Sequence, residues 1–209
     1  MKRLELSLLI GLVVAILLGN VTSFAEDCED VRQSVFRLHI LANSDSEPDQ
    51  ALKYAVRDKL LQETGELFAG ASPEEAKTIA AEKLPELQAL AAEVIQEEGY
   101  AYSVTAEVAN MHFDTRVYGE DQFPAGRYDA LRITIGEGNG RNWWCVLYPP
   151  LCLPAATKGE AITVSADGDW YFTDEELRVL KGGSTYKAEF AIVEWYEALK
   201  AHFTKEKAK

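Results

Sequence analysis

A chain of 209 residues with 34 Asp and Glu against 21 Lys and Arg carries a formal charge of −13 at neutral pH and is 47% hydrophobic. Such acidity disfavours nucleic acid as a partner, and disfavours anionic membrane surfaces or polyanionic wall polymers held by bulk electrostatics. The length suits one well-buried domain, and no internal repeat or low-complexity block divides it.

The N-terminus reads as an export signal. Lys2 and Arg3 precede an apolar run from Leu6 to Leu18, and Ser23-Phe24-Ala25 places small residues at the two positions a signal peptidase reads. Cleavage after Ala25 gives a leader of residues 1–25 and a single domain of residues 26–209. The alternative is an uncleaved anchor, with Gly19 to Phe24 extending an apolar run otherwise short of the roughly 20 residues a spanning helix needs. Cys28 is not preceded by a lipoprotein pattern. Removing Lys2, Arg3 and Glu5 leaves −14 on the remaining 184 residues.

Val35 to Ala42 alternates as a strand, with Phe36, Leu38, Ile40 and Ala42 on one face and Arg37, His39 and Leu41 on the other. Asn43-Ser44-Asp45-Ser46 breaks it, and Ser46 caps a helix with Asp49 three residues on and Pro48 in the first turn. That helix runs to about Phe68, with Leu52, Ala55, Val56 and Leu60 facing a core and Lys53 and Arg57 stacked on the other side. Ser72-Pro73-Glu74-Glu75 is a second capping box. The helix it opens reaches Gly99, and Pro85 kinks or divides it. Strands are expected over Tyr100 to Val108, around Arg116 to Tyr118, and over Tyr128 to Ile135 and Asn142 to Tyr148, with Gly136 to Gly140 as a hairpin loop between the last two. Ala161 to Ser165 adds an edge. Thr173-Asp174-Glu175-Glu176 caps a short helix that stops at Gly182-Gly183. A last amphipathic helix carries Phe190, Val193, Trp195, Tyr196, Leu199 and Phe203. Strands in one block between helices imply an α+β fold, a largely antiparallel sheet with amphipathic helices packed on one face.

Trp143 to Cys152, reading Trp-Trp-Cys-Val-Leu-Tyr-Pro-Pro-Leu-Cys, concentrates two of four tryptophans and two of three cysteines. Its first half reads as a buried strand that Pro149-Pro150 ends. Export permits oxidation, so Cys145 and Cys152 are expected to pair across the proline turn with Cys28 free. The alternative is two inert core thiols.

Catalytic patterns are thin. His39, His112 and His202 share no metal-ligand spacing, and no metalloprotease, nucleophile-elbow or phosphate-loop motif occurs. No metal, cofactor or small-molecule substrate is expected. A Cys145 nucleophile with His39 or His112 as base is the remaining enzymatic reading, yet an apolar run raises a thiol pKa where a reactive cysteine needs it lowered.

Arg37-Leu38-His39-Ile40-Leu41-Ala42-Asn43-Ser44-Asp45-Ser46, Asp49-Gln50-Ala51-Leu52-Lys53 and Arg57-Asp58 resemble the stage II sporulation protein R family of endospore-forming bacteria. Lys83-Leu84-Pro85-Glu86, Val117-Tyr118-Gly119, Phe123-Pro124-Ala125-Gly126-Arg127-Tyr128 and the Asn142 to Cys152 run extend the resemblance, in order, over about residues 34–152.

The resemblance implies a signalling protein and not an enzyme. Proteins of this family are exported by the forespore into the space between the forespore and mother-cell membranes, where they activate a membrane-embedded aspartic protease, stage II sporulation protein GA, which processes the sigma E precursor; the resemblance implies the same of this chain. The rival classes are an extracytoplasmic cysteine hydrolase and a wall-associated structural module. The resemblance is densest at two stretches, so the expected contact face comprises Asn43, Ser44 and Asp45 with Trp143, Trp144, Pro149 and Pro150. Turn chemistry alone also reads Asn43 to Asp45 as no more than a strand end entering a capped helix.

Overall fold

A computed structural model describes residues 2–68, 70–118, 121–149, 151, 172–182 and 186–207. Helix α1 runs unbroken over Lys2–Gln33. Its first half holds Leu4, Leu8, Leu12 and Ile16 exposed, whereas Phe24, Cys28 and Val31 are buried in the domain. The expected leader boundary after Ala25 therefore falls inside a continuous helix. Among the described residues no helix is long and apolar enough to cross a membrane.

Strand β1 (Phe36–Leu41) is buried from Phe36 to Ile40 on both faces, which requires a central place in the sheet. The four-stranded order is β2-β5-β1-β6, with β2 over Val104–Phe113, β5 over Gly126–Ile135 and β6 over Asn142–Tyr148. Among the described strands only the β1–β5 pairing is parallel. The segment from Gly136 to Gly140 is therefore no hairpin: β5 and β6 lie on either side of β1, and the loop between them passes the end of that strand. A short hairpin of β3 (Arg116–Tyr118) and β4 (Asp121–Phe123) forms a second sheet, and β4 had no sequence signal. β2 begins four residues later than expected and extends to Phe113, which pairs with Gly126.

Helix α2 (Glu47–Leu67), α3 (Pro73–Glu82) and α4 (Leu84–Glu97) cover one face. Ser72 Oγ accepts from the Glu75 amide at 3.2 Å and the Glu75 carboxylate accepts from the Ser72 amide at 2.7 Å, the reciprocal box the spacing implied. Pro85 divides the helical stretch at Lys83, opening α4 in its first turn. Phe36, Leu38 and Ile40 meet Leu131, Ile133, Cys145 and Leu147 beneath these helices, in a core with Val56, Leu60, Leu87 and Ile95.

The class is α+β with a mostly antiparallel sheet, and helices cover the second face as well. Val35, Tyr128, Ala130 and Val146 pack there against α1, α5 (Asp174–Lys181) and α6 (Lys187–Lys207) through Cys28, Val31, Val179, Leu180, Phe190 and Val193. Thr173 caps α5 through a second reciprocal box with Glu176. The Ala161 to Ser165 edge lies outside the described residues.

Candidate functional site

Where β1 ends, its loop is sewn to the loop that follows β5. The Asn43 amide donates to Asp49 at 2.9 Å, and its carbonyl oxygen accepts from the Glu137 amide at 3.0 Å. Ser44 Oγ donates to the same Asp49 carboxylate at 2.5 Å. Asp45 accepts from the Arg141 amide at 2.7 Å, and Gly140 donates its amide to the Ala42 carbonyl at 2.9 Å. Gly136 adopts φ +56° directly against Asn43, where a side chain would strike the amide. Hydrogen bonds from Ser44 and Asn43 hold the Asp49 carboxyl below the usual carboxylate range. Ser46 caps α2 through the Asp49 amide at 3.3 Å. The Asp49 side chain bonds back to Asn43 and Ser44, so this box draws in the residues before it.

Beside this loop, α2 turns Lys53, Tyr54 and Arg57 toward the start of β6. Lys53 and Arg57 were expected on the side of α2 away from its apolar stripe; both are nevertheless buried. The Lys53 ammonium donates to Gln50 at 2.6 Å and to the Arg141 carbonyl at 3.2 Å, and burial lowers its pKa, with Arg141 and Arg57 adding like-charge repulsion. The Arg57 guanidinium lies 4.4 Å from the Trp143 ring centre, and Tyr54 meets that ring edge-on at 5.6 Å. Tyr54, Arg141 and Asn142 are exposed, so the outer surface combines an aromatic ring, a cation and an amide.

One residue on, Trp144 projects to the opposite face, as the strand period requires. It stacks on His39 with centroids 3.7 Å apart and planes 2° from parallel. Next to them Arg37 is fully buried. Its guanidinium lies 4.2 Å from the Phe113 centroid and 4.7 Å from that of Tyr128, with Tyr118 and Phe123 completing a box. Nη2 donates to Tyr118 at 2.7 Å, and Nε and Nη1 have no hydrogen-bond partner among the described residues. Tyr118 in turn donates to the Trp144 carbonyl at 3.3 Å.

The expected contact residues are thus distributed. Asn43, Ser44 and Asp45 are tied to the loop that leads into β6, Trp143 near that end of the strand packs under Tyr54 and Arg57, and Trp144 serves the other face. Pro149 is buried six residues along, roughly 20 Å away at strand rise. Pro150 and Cys152 lie outside the described residues. Cys145 is disulfide-bonded and buried, and Cys28 is free, its thiol pushed up to about 12 by burial. Cys145 joins the core under α2 to α4 whereas His39 faces the other layer, so the two cannot act as nucleophile and base. Among the described residues no cluster could hold a metal ion. The aromatic box was hidden from the sequence because its members come from five separate strands.

All three groups of residues fall within one stretch that a family model recognises. The model described as stage II sporulation protein R matches residues 32–158. The chain belongs to the stage II sporulation protein R family. It is 43% identical over 138 residues to the Stage II sporulation protein R of Bacillus subtilis (strain 168), an alignment covering 66% of this chain and 62% of that relative. No solved structure matches the chain. The family stretch takes in the sheet, the sewn loops and the Arg37 box, while the exposed half of α1 and helices α5 and α6 lie beyond it.

Proposed function

We propose that this chain is an exported signal of endospore formation that activates the membrane-embedded aspartic protease, stage II sporulation protein GA, by binding, and so triggers processing of the sigma E precursor. Family membership is the observation that carries this reading. The forespore releases the chain into the space between the two membranes, and the chain performs no chemistry of its own. A buried thiol pushed up to about 12 and a second sulfur held in a disulfide support a protein ligand over a cysteine hydrolase.

The contact face we assign is the end of the sheet where Asn43, Ser44 and Asp45 set the loop and Tyr54, Arg141 and Asn142 present exposed groups. Tyrosine and arginine make effective interface anchors when a partner desolvates them. The sewn loops give them a rigid platform.

Co-expression of the chain with the protease and the sigma precursor tests both levels. Wild-type chain should drive precursor cleavage, and Tyr54→Ala with Arg141→Ala should reduce it at least tenfold with an unchanged melting temperature. Cleavage undiminished in the double variant would move the contact face elsewhere. No cleavage with wild-type chain would remove the signalling assignment.

A further inference from the structure

The sheet is open along one edge. β2 ends the strand order, and its register with β5 runs unshifted from Val104 opposite Ile135 to Phe113 opposite Gly126. The Ser103 carbonyl accepts from the Gly136 amide on the β5 side at 2.7 Å, whereas the Ala106 amide points the other way and donates to Gln88 of α4 at 3.1 Å. An antiparallel ladder repeats that alternation every two residues, so Val108, Asn110 and His112 also turn their amides and carbonyls outward. Val104 is buried, which leaves Ala106 to His112 as the accessible stretch. Among the described residues no strand and no hydrogen bond reaches the outward amides of Val108, Asn110 and His112.

Two side chains already stand where a neighbouring strand would. Gln88 Oε1 accepts from the Ala106 amide as a strand carbonyl does, and Arg127 Nη2 donates to the Asn110 carbonyl as a strand amide does. Both side chains are exposed and free to swing aside. The usual protections of an edge are missing from β2: it has no proline, no lysine and no bulge, and Arg132 pairs with its one acid, Glu107, at 3.2 Å.

We infer that β2 takes up an extended segment of another protein as an added strand. Successive outward amides and carbonyls are matched by an extended backbone, and neither a helix nor a small molecule satisfies such a row. A second copy of this chain is the poorer occupant, because each copy carries −13 and would bring that charge against itself. On the helix side of the edge, Gln88, Ala92 and Gln96 of α4 follow at steps of four beside Ala89, all small or uncharged, while Glu93 and Glu97 lie toward Lys59 of α2. The incoming strand therefore alternates, with apolar side chains toward Ala89 and Ala92 and polar ones on its other face, and it carries no net negative charge. This edge lies across the sheet from the contact face at β6, so the inference stands apart from the activating role.

Hydrogen exchange and selected peptides test it together. In the free full chain the amides of Val108, Asn110 and His112 should exchange fast and those of Glu107, Ala109 and Met111 slowly. Short peptides selected from a random displayed library for binding to the full chain should slow the three outward amides at least tenfold. Proline is tolerated where a strand's amide points to solvent, so Val108→Pro and Asn110→Pro should each melt near wild type and weaken those peptides at least tenfold. Either variant suffices if the other fails to fold. Peptides that bind both variants as tightly as wild type, or a selection that yields none protecting these amides, would overturn the proposal. Slow exchange at the three amides in the free chain would overturn it as well, a doubled mass in sedimentation then marking pairing between copies.

Discussion

The imidazole of His39 and the indole of Trp144 lie face to face, 3.7 Å apart and within 2° of parallel, beneath the edge of Phe113. Burial drives the His39 pKa down to about 4, the Arg132 charge contributing in the same direction, so the ring is stacked in its neutral form. The unfolded chain takes up this proton near pH 6.5 and the folded chain only near 4. Stability present above pH 6.5 is therefore lost on acidification, by about 1.4 kcal/mol per pH unit across that window. Denaturant melts between pH 7 and 4.5 should show the slope, and His39→Phe should flatten it. An unchanged slope in the variant would assign the acid sensitivity to another group.

Asn43 is expected to matter for stability as well as for contact. Asn43→Ala removes the donor to Asp49 and the acceptor for the Glu137 amide together; the Glu137 amide is left to water and Asp49 keeps Ser44, so the expected loss is that of ordinary hydrogen bonds, about 1 kcal/mol. Thermal melting should show a clear loss for Asn43→Ala. Tyr54→Ala should melt close to wild type, because that ring is exposed.

Gly126 sits at φ +146° with Arg32 folded over it, and an added Cβ would lie 2.6 Å from Arg32 Cδ. Arg32 also donates to the Ala125 carbonyl at 3.0 Å. Gly126→Ala combines backbone strain with displacement of that guanidinium and should cost about 1 to 3 kcal/mol. A melt equal to wild type would mean that Arg32 moves aside freely.

Arg37 offers a test of what a buried cation contributes. It is encircled by rings and, among the described residues, has a single side-chain hydrogen bond, to Tyr118, so Arg37→Met fills the same space without the desolvation cost. The expected change is within about 1.5 kcal/mol of wild type. Arg37→Ala empties the box and should cost about 2 to 5 kcal/mol. Chemical denaturation of the two variants separates volume from charge: equal losses would show that the charge itself is what the box requires.

Phe24 reports on the fate of the leader. It packs on Tyr186 at 5.2 Å and Phe190 at 5.1 Å, yet lies on the leader side of the expected cleavage site. If residues 1–25 are retained, Phe24→Ala should destabilise the chain by about 3 to 5 kcal/mol. If the chain begins at Glu26, the substitution should have no effect on its melting. N-terminal sequencing of the same sample decides which chain was melted.

Local chemistry was legible in the residues and long-range placement was not. The Ser72 and Thr173 boxes, the division at Pro85 and the alternation of β1 follow from spacing alone and appear as expected. The Gly136 to Gly140 loop was misread because its glycines suit a hairpin equally well; what excludes one is β1, a strand about a hundred residues earlier, lying between β5 and β6. Lys53 and Arg57 occupy the polar side of a helical wheel and are buried because Trp143 and Arg141 arrive over them. Phe190 and Trp195 of α6 are alike to any hydropathy scale, yet the first is buried and the second exposed, a difference set by what the distant α1 covers.

The central position of β1 also bears on when the chain can fold. It is the first strand of the chain to be synthesised, yet Leu38 pairs with Leu131 on one side and Cys145 on the other. Until residues near Tyr148 have emerged, the strand has no neighbours and the hydrophobic faces of α2 and α4 have no sheet to cover. Non-local pairing of this kind folds slowly. A chain so arranged gains its first stable sheet only once residues more than a hundred positions apart have met.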